Sequence, residues 1–271
     1  MAHVIWIMKF TKRKLLRYVH SIINYLQVVS SLFLGVMRKK NGQRRIIHLL
    51  VVKNPKYVDL ALIAVSSFLR HNPNSFFLIH TDDITTLQSH RSFWILEKIG
   101  LAQVDPIFQP RLKEWQELKL RIIHELSGTS EIFMDADLRW HGRCPELVGV
   151  TFFVKEFDLL TKEPFSEISK MIAKDLHSCY MKNTSFVSFS GIKIQPEVFE
   201  DIWLAYFNFQ NYLIGRNAGE ISDLMRLREQ FILSYFIREK NIQISYLKET
   251  DSIKDGQFVE SSYFGTTGAT F

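Results

Sequence analysis

Cysteine is scarce in this 271-residue chain: Cys144 and Cys179 are the only two. That excludes a disulfide framework, and the absence of any Cys-x-x-Cys or Cys/His cluster excludes a structural zinc site. Glycine (12) and proline (7) are also few, and no Gly-, Ser- or Pro-rich stretch divides the middle of the chain, so a linker between two full domains is not expected. Long apolar runs are missing too. The best, Ser21 to Met37, is uncharged for 17 residues, short of the ~20 that cross a bilayer. No histidine follows His177, and no Gly-x-Ser-x-Gly, Walker A or His-Glu-x-x-His motif occurs, which removes the common hydrolase, nucleotidase and metalloprotease signatures.

Acidic residues are absent from the first 45 positions. Ten of the 34 basic residues lie there, and the rest of the chain carries 24 basic against 28 acidic residues, a net −4. The overall +6 is therefore the property of an arm. A basic arm on a mildly acidic body offers no basic reading surface, so nucleic acid is not an expected partner. Within the arm, Ser21, Asn24, Gln27, Ser31 and Gly35 recur at helical spacing and form a narrow polar stripe beside Ile22, Leu26, Val29 and Phe33. Five basic residues stand on either side. Residues 1–45 are thus expected to form a basic amphipathic helical arm lying on an anionic membrane surface, at the cytoplasmic face. A single-span anchor and a packing helix are the alternatives.

From residue 46 the pattern is α/β. Ile46 to Lys53 is a β-branched apolar run, Val58, Leu62, Val65 and Leu69 follow at helical spacing, and Ser75 to His80 reads as a second strand. Helical Ile84 to Ile99, strand-like Ala102 to Phe108, a helix marked by Trp115, Leu118, Ile122 and Leu126, and the short strand Glu131 to Met134 continue the alternation. This predicts a single Rossmann-like domain over residues 46–271, with a mostly parallel central sheet and helices on both faces. Strand-like segments at 152–160, 185–194 and 241–247 and helices near 196–214 and 220–239 complete it.

The strand at 131–134 runs directly into Asp135-Ala136-Asp137. Ligands of open parallel sheets bind beyond the carboxyl ends of the strands, and two carboxylates one residue apart suit a hard divalent cation that neutralises a diphosphate. In that segment the chain resembles the small nucleotide-sugar glycosyltransferases of the GT-A fold, the glycogenin-like group among them. The resemblance spans roughly residues 46 to 265. It implies a GT-A-like domain in which Asp135 and Asp137 bind Mn²⁺ or Mg²⁺ on a nucleotide-diphosphate sugar, a UDP-sugar in most of the group, and in which Ala136 lies against the donor. Ser190-Gly191-Ile192 looks like the later Asn-Ser-Gly-Val strand near donor sugar and acceptor. Glu229-Gln230 resembles an Asp-Gln pair, and Tyr263-Phe264-Gly265 a C-terminal His-Tyr-x-Gly segment.

Two positions depart from the group. Phe189 stands where Asn is usual and Ser262 where a metal-binding His is usual, so a third ligand would come from Asp251, Asp255, Glu260 or water. The remaining donor contacts are expected from Asp82 and Asp83, which equally suit a helix N-cap, from Tyr57 and from Lys119. Glu229 is the candidate base for a hydroxyl of a glycan or lipid-linked acceptor, with a solvated helix face as its alternative. His48 and His80 read as satisfied core or rim histidines, and Trp140, His141 and Arg143 as acceptor-cleft or structural loop residues. Two other readings compete: a haloacid-dehalogenase-type phosphatase, which also uses strand-Asp-x-Asp but with Thr or Val after it, and a non-catalytic binding module of degenerate transferase fold.

Overall fold

The computed structural model describes residues 29–30, 44–52, 55–106, 115–172, 179–247 and 259–261. The expectations for the basic arm and for Asp251, Asp255 and residues 262–265 lie outside the described residues. Among the described residues no helix is long and apolar enough to cross a membrane.

Eleven strands and eight α-helices are described, with a 3-10 turn at Phe209–Leu213. The first half alternates as its hydrophobic periods require: β1 (Arg45–Val51), α1 (Pro55–His71), β2 (Ser75–Thr81), α2 (Ile84–Ser89), α3 (Arg91–Lys98), β3 (Ala102–Pro106), α4 (Trp115–Glu125) and β4 (Ile132–Asp135). The expected single helix at 84–99 is broken because His90 is extended at φ −81°, ψ 110°. After β4 the elements shorten to β5 (Leu138–Trp140), β6 (Val150–Phe152), β7 (Lys155–Asp158), α5 (Phe165–Ile172), β8 (Tyr180–Lys182) and β9 (Phe186–Ser188). Then come α6 (Pro196–Phe207), α7 (Ala218–Arg226), α8 (Arg228–Glu239), β10 (Ile244–Tyr246) and β11 (Val259–Ser261). The expected strand at 152–160 is thus two short strands.

Seven strands form the central sheet in the order β10-β6-β9-β4-β1-β2-β3. All run parallel except β9, which is antiparallel to both β4 and β6. Alternate residues of each strand serve opposite faces. Ile47, Leu49, Val51, Ile132 and Met134 pack against α1, α2 and α3, whereas Leu50, Phe133 and Val187 pack against α4, α6 and α8. Two cores therefore sandwich the sheet, and the expected α/β architecture with helices on both faces is the observed one. β5 pairs with β11 and β7 with β8 outside the main sheet.

β9 decides what surrounds the carboxyl end of β4. Because it runs backwards, its start lies beside Asp135, where Ser185 O accepts from Asp135 N at 2.8 Å. Its exit lies at the opposite end. There Ser190 (φ 50°) and Gly191 (φ 81°) make a left-handed turn tied to the loop before β4, with Gly191 N donating to Thr129 O at 2.7 Å and Gly128 N to Ile192 O at 2.9 Å. Left-handed backbone suits glycine at 191 and strains serine at 190.

Candidate functional site

β4 occupies the middle of the sheet, and its register sets Asp135 opposite Leu50 on β1. Asp135 is a quarter exposed, Ala136 is buried and Asp137 half-buried, so the Asp-x-Asp corner opens at the carboxyl end of the strand. Beneath it lies a buried cation. Lys119, on α4 and 3% exposed, donates from Nζ to Asp135 Oδ2 at 2.9 Å and stands 3.8 Å from Glu229 Oε1, with Nζ over the Phe133 ring.

Burial works against the Lys119 charge, but the fields of Asp135, Glu229 and Asp137 and the Asp135 hydrogen bond outweigh it and hold its pKa above the usual lysine value. Burial likewise pushes the Glu229 carboxyl up; Lys119, 3.8 Å away, pulls against it, and the charge of Asp135 adds to the rise. Thr184 Oγ1, fully buried, donates to Glu229 Oε1 at 3.4 Å, and Glu229 Oε2 has no hydrogen-bond partner among the described residues.

Local structure explains why Glu229 arrives there. Gln116, one turn before Lys119 on α4, donates from Nε2 to Met225 O and Arg226 O at 2.7 and 2.8 Å, satisfying the last carbonyls of α7. The chain turns at Leu227, and Glu229 falls in the first turn of α8, where the helix dipole favours a carboxylate. Next to it, Arg228 Nη2 donates to Tyr206 OH at 2.6 Å. The 183–185 loop is also held. Ser185 N donates to Asn183 Oδ1 at 2.9 Å and Asn183 Nδ2 to Glu156 Oε1 at 2.7 Å.

Several expectations change on this geometry. Ser190 and Gly191 are not beside Asp135; antiparallel β9 carries them to the far end of β4, and Asn183-Thr184-Ser185 takes the place expected for them. Glu229 is neither on a solvated face nor open to an acceptor: at 1% exposure it reaches the corner only through Lys119 and Thr184. Lys119 lies behind Asp135 rather than at the surface. Trp140 is buried against Phe68, with Nε1 on Met134 Sδ at 3.0 Å, in the core on the other side of the sheet.

Asp82 and Asp83 follow β2, two strand spacings from β4, or about 10 Å. Asp83 caps α2, accepting from Thr86 N at 3.0 Å and from Thr86 Oγ1 at 2.5 Å, and these bonds lower its pKa. Tyr57 lies in the first turn of α1, 42% exposed. Thr184 is the residue the sequence reading missed. Nothing in the run Asn183-Thr184-Ser185 marks it in the sequence as the loop opposite the Asp-x-Asp corner.

Among the described residues no group of three or more His, Cys, Asp or Glu side chains converges on one metal position. Asp135 and Asp137 alone supply a pair of oxygen donors. That set fits Mg²⁺ or Mn²⁺ completed by water and substrate phosphate, the manner in which magnesium is usually held, and does not fit a cation that needs an all-protein cage.

No protein-family model and no curated protein matches the chain. Among solved structures, galactosyltransferase LgtC in complex with donor and acceptor sugar analogs is similar over 74% of this chain and 72% of its own, at 11% identity and TM-score 0.46. The apo-form glycosyltransferase GlyE of Streptococcus pneumoniae is similar over 75% of this chain and 45% of its own, at 13% identity and TM-score 0.45. A mannosyltransferase of Pyrobaculum calidifontis in complex with GDP-Man and Mn²⁺ is similar over 79% and 80%, at 8% identity and TM-score 0.33. The likeness is one of architecture, to glycosyltransferases, and at these TM-scores it carries no argument about the site.

Proposed function

We propose that this protein transfers a sugar from a nucleotide-diphosphate donor, a UDP-sugar in the first instance, to a hydroxyl acceptor. The observation that carries the reading is the Asp135–Asp137 corner at the carboxyl end of the central strand, with Asp135 fixed from below by the buried Lys119–Glu229–Thr184 array. A divalent cation held by Asp135 and Asp137 would bind the donor diphosphate and neutralise the charge that develops on it as the leaving group. Lys119 fixes the orientation of Asp135 and lessens the repulsion between two neighbouring carboxylates. Glu229, itself held by Thr184, in turn fixes Lys119, so the corner is preorganised before donor arrives. Tyr57, Asp82 and Asp83 lie at the same edge of the sheet, where base and ribose would sit.

A thermal-shift screen of nucleoside diphosphates and their sugar conjugates, with and without Mn²⁺, tests the reading, since a ligand of the native state raises the melting temperature by mass action. Metal-dependent stabilisation by one nucleotide family, followed by release of that diphosphate on incubation with sugar acceptors, is expected. Stabilisation without turnover on any acceptor would favour the non-catalytic binding module.

For the arm we infer membrane association, on ten basic and no acidic residues in positions 1–45. The full chain should float with phosphatidylserine-rich liposomes and be released by salt, which screens surface attraction. Resistance to salt and carbonate would indicate a span, and absence of flotation a packing helix.

A further inference from the structure

On the opposite face of the sheet from Lys119, the C-terminal half of α1 and strand β5 border a concavity of about 240 Å³, lined by Ser66, Arg70, His71, Arg139 and His141 together with Ile63 and Trp140. We propose that this concavity is a binding site for a phosphate monoester, separate from the Asp135 corner.

The lining is the argument. Two guanidinium groups and two imidazoles converge from segments some 70 residues apart in sequence, and no carboxylate is among the described lining residues. Neither Arg70 nor Arg139 has an ion pair among the described residues. A helix C-terminus favours basic residues in its last turn, which accounts for Arg70 and His71. It does not account for Arg139 and His141, which β5 brings to the same hollow. β5 does so because Leu138 and Trp140 are buried and alternation turns Arg139 outward, while Trp140 N is pinned to Ser67 Oγ at 3.0 Å. The hollow is therefore a fixed part of the fold.

The two guanidinium groups repel one another. The pKa of His71 is lowered, first by burial and then by Arg70 and His141. A phosphate dianion relieves that repulsion and accepts charge-assisted hydrogen bonds from both arginines. At ~30 Å³ per water, the hollow has room for a tetrahedral anion and several waters.

Titration calorimetry of the full chain with glycerol phosphate, and with a monomeric short-chain phosphatidic acid that offers residues 1–45 no membrane surface, distinguishes a soluble monoester from a lipid headgroup. In whichever arm binds, Arg70→Gln with Arg139→Gln should weaken binding on the order of ten-fold or more, and Arg139→Gln alone should weaken it measurably. Lys98→Gln with Lys170→Gln, which removes the same charge elsewhere, should bind as wild type. Circular dichroism melts check that the arginine variants fold. Absence of binding in both arms, or equal weakening by the arginine and lysine pairs, would overturn the proposal. Neither outcome bears on the Asp135 corner, because the donor screen reads a different face of the sheet.

Discussion

Lys119 and Asp135 form an ion pair whose two ends differ in burial: the ammonium is 3% exposed and the carboxylate 26%, at 2.9 Å. One member is anchored in the interior and the other faces the place where a ligand would arrive. Lys119→Met keeps most of the volume but leaves Glu229 buried without its cation. Breaking a buried pair costs 3–5 kcal/mol, and the exposed end puts this case near the lower limit, about 3 kcal/mol. Urea unfolding measures it; a loss below 1 kcal/mol would mean that the pair is incidental to the fold.

Glu229→Gln should behave differently, because Asp135 still holds Lys119. Burial raises the Glu229 carboxyl, so the folded state binds its proton more tightly than the unfolded state does. Stability from this group is therefore lost as pH rises above the unfolded carboxylate value of 4.5 toward the folded one. Glu229→Gln should flatten that fall in thermal melts across the acid range and leave stability at neutral pH equal or higher. In function, donor affinity should drop along with turnover, since Glu229 acts through Lys119. Lower turnover with donor affinity intact would restore it as an acceptor base.

A second buried array crosses the sheet away from the site. His48 Nδ1 faces His80 Nε2 at 2.9 Å, with Glu131 Oε2 2.5 Å from His48 Nε2 and Asp105 Oδ2 3.1 Å from His80 Nδ1, linking β1, β2, β3 and the start of β4. The ring centroids lie 5.2 Å apart and the planes within 15°, so the imidazoles meet edge to edge and one proton must lie between the facing nitrogens. Burial first, then His48, lowers the His80 pKa to about 4. The unfolded state thus binds more protons between about pH 6.5 and 4, and stability falls as pH drops through that window. The loss should not exceed about 3 kcal/mol, and His80→Gln should reduce the slope. A wild-type stability profile flat from pH 7 to 4 would contradict this.

The first half of the fold was legible because each element buries one face in a fixed period: Ile47, Leu49 and Val51 alternate with Leu50, and α1 repeats at 3 and 4. Asp135 and Asp137 were legible for the same reason, as the end of a buried strand in a parallel alternation. The direction of β9 was not. Three buried residues, Phe186, Val187 and Ser188, fit either direction, and only pairing with β4 and β6 fixes it. That reversal exchanged Ser190-Gly191 for Asn183-Thr184-Ser185 at the site. The burial of Glu229 was equally hidden, since Arg226 and Arg228 in its neighbourhood suggested a solvated face. In fact Arg228 is buried against Tyr206 and Glu229 against Lys119.

Calorimetry of a nucleoside diphosphate binding to wild type, Asp135→Asn and Asp137→Asn in Mn²⁺ tests the central claim most directly. Each variant removes a charged oxygen donor with almost no change in volume, so both should lose metal-dependent affinity, on the order of ten-fold or more, while keeping the wild-type circular dichroism spectrum. Equal, metal-independent affinity in all three proteins would contradict the assignment of the Asp135–Asp137 corner as the donor site.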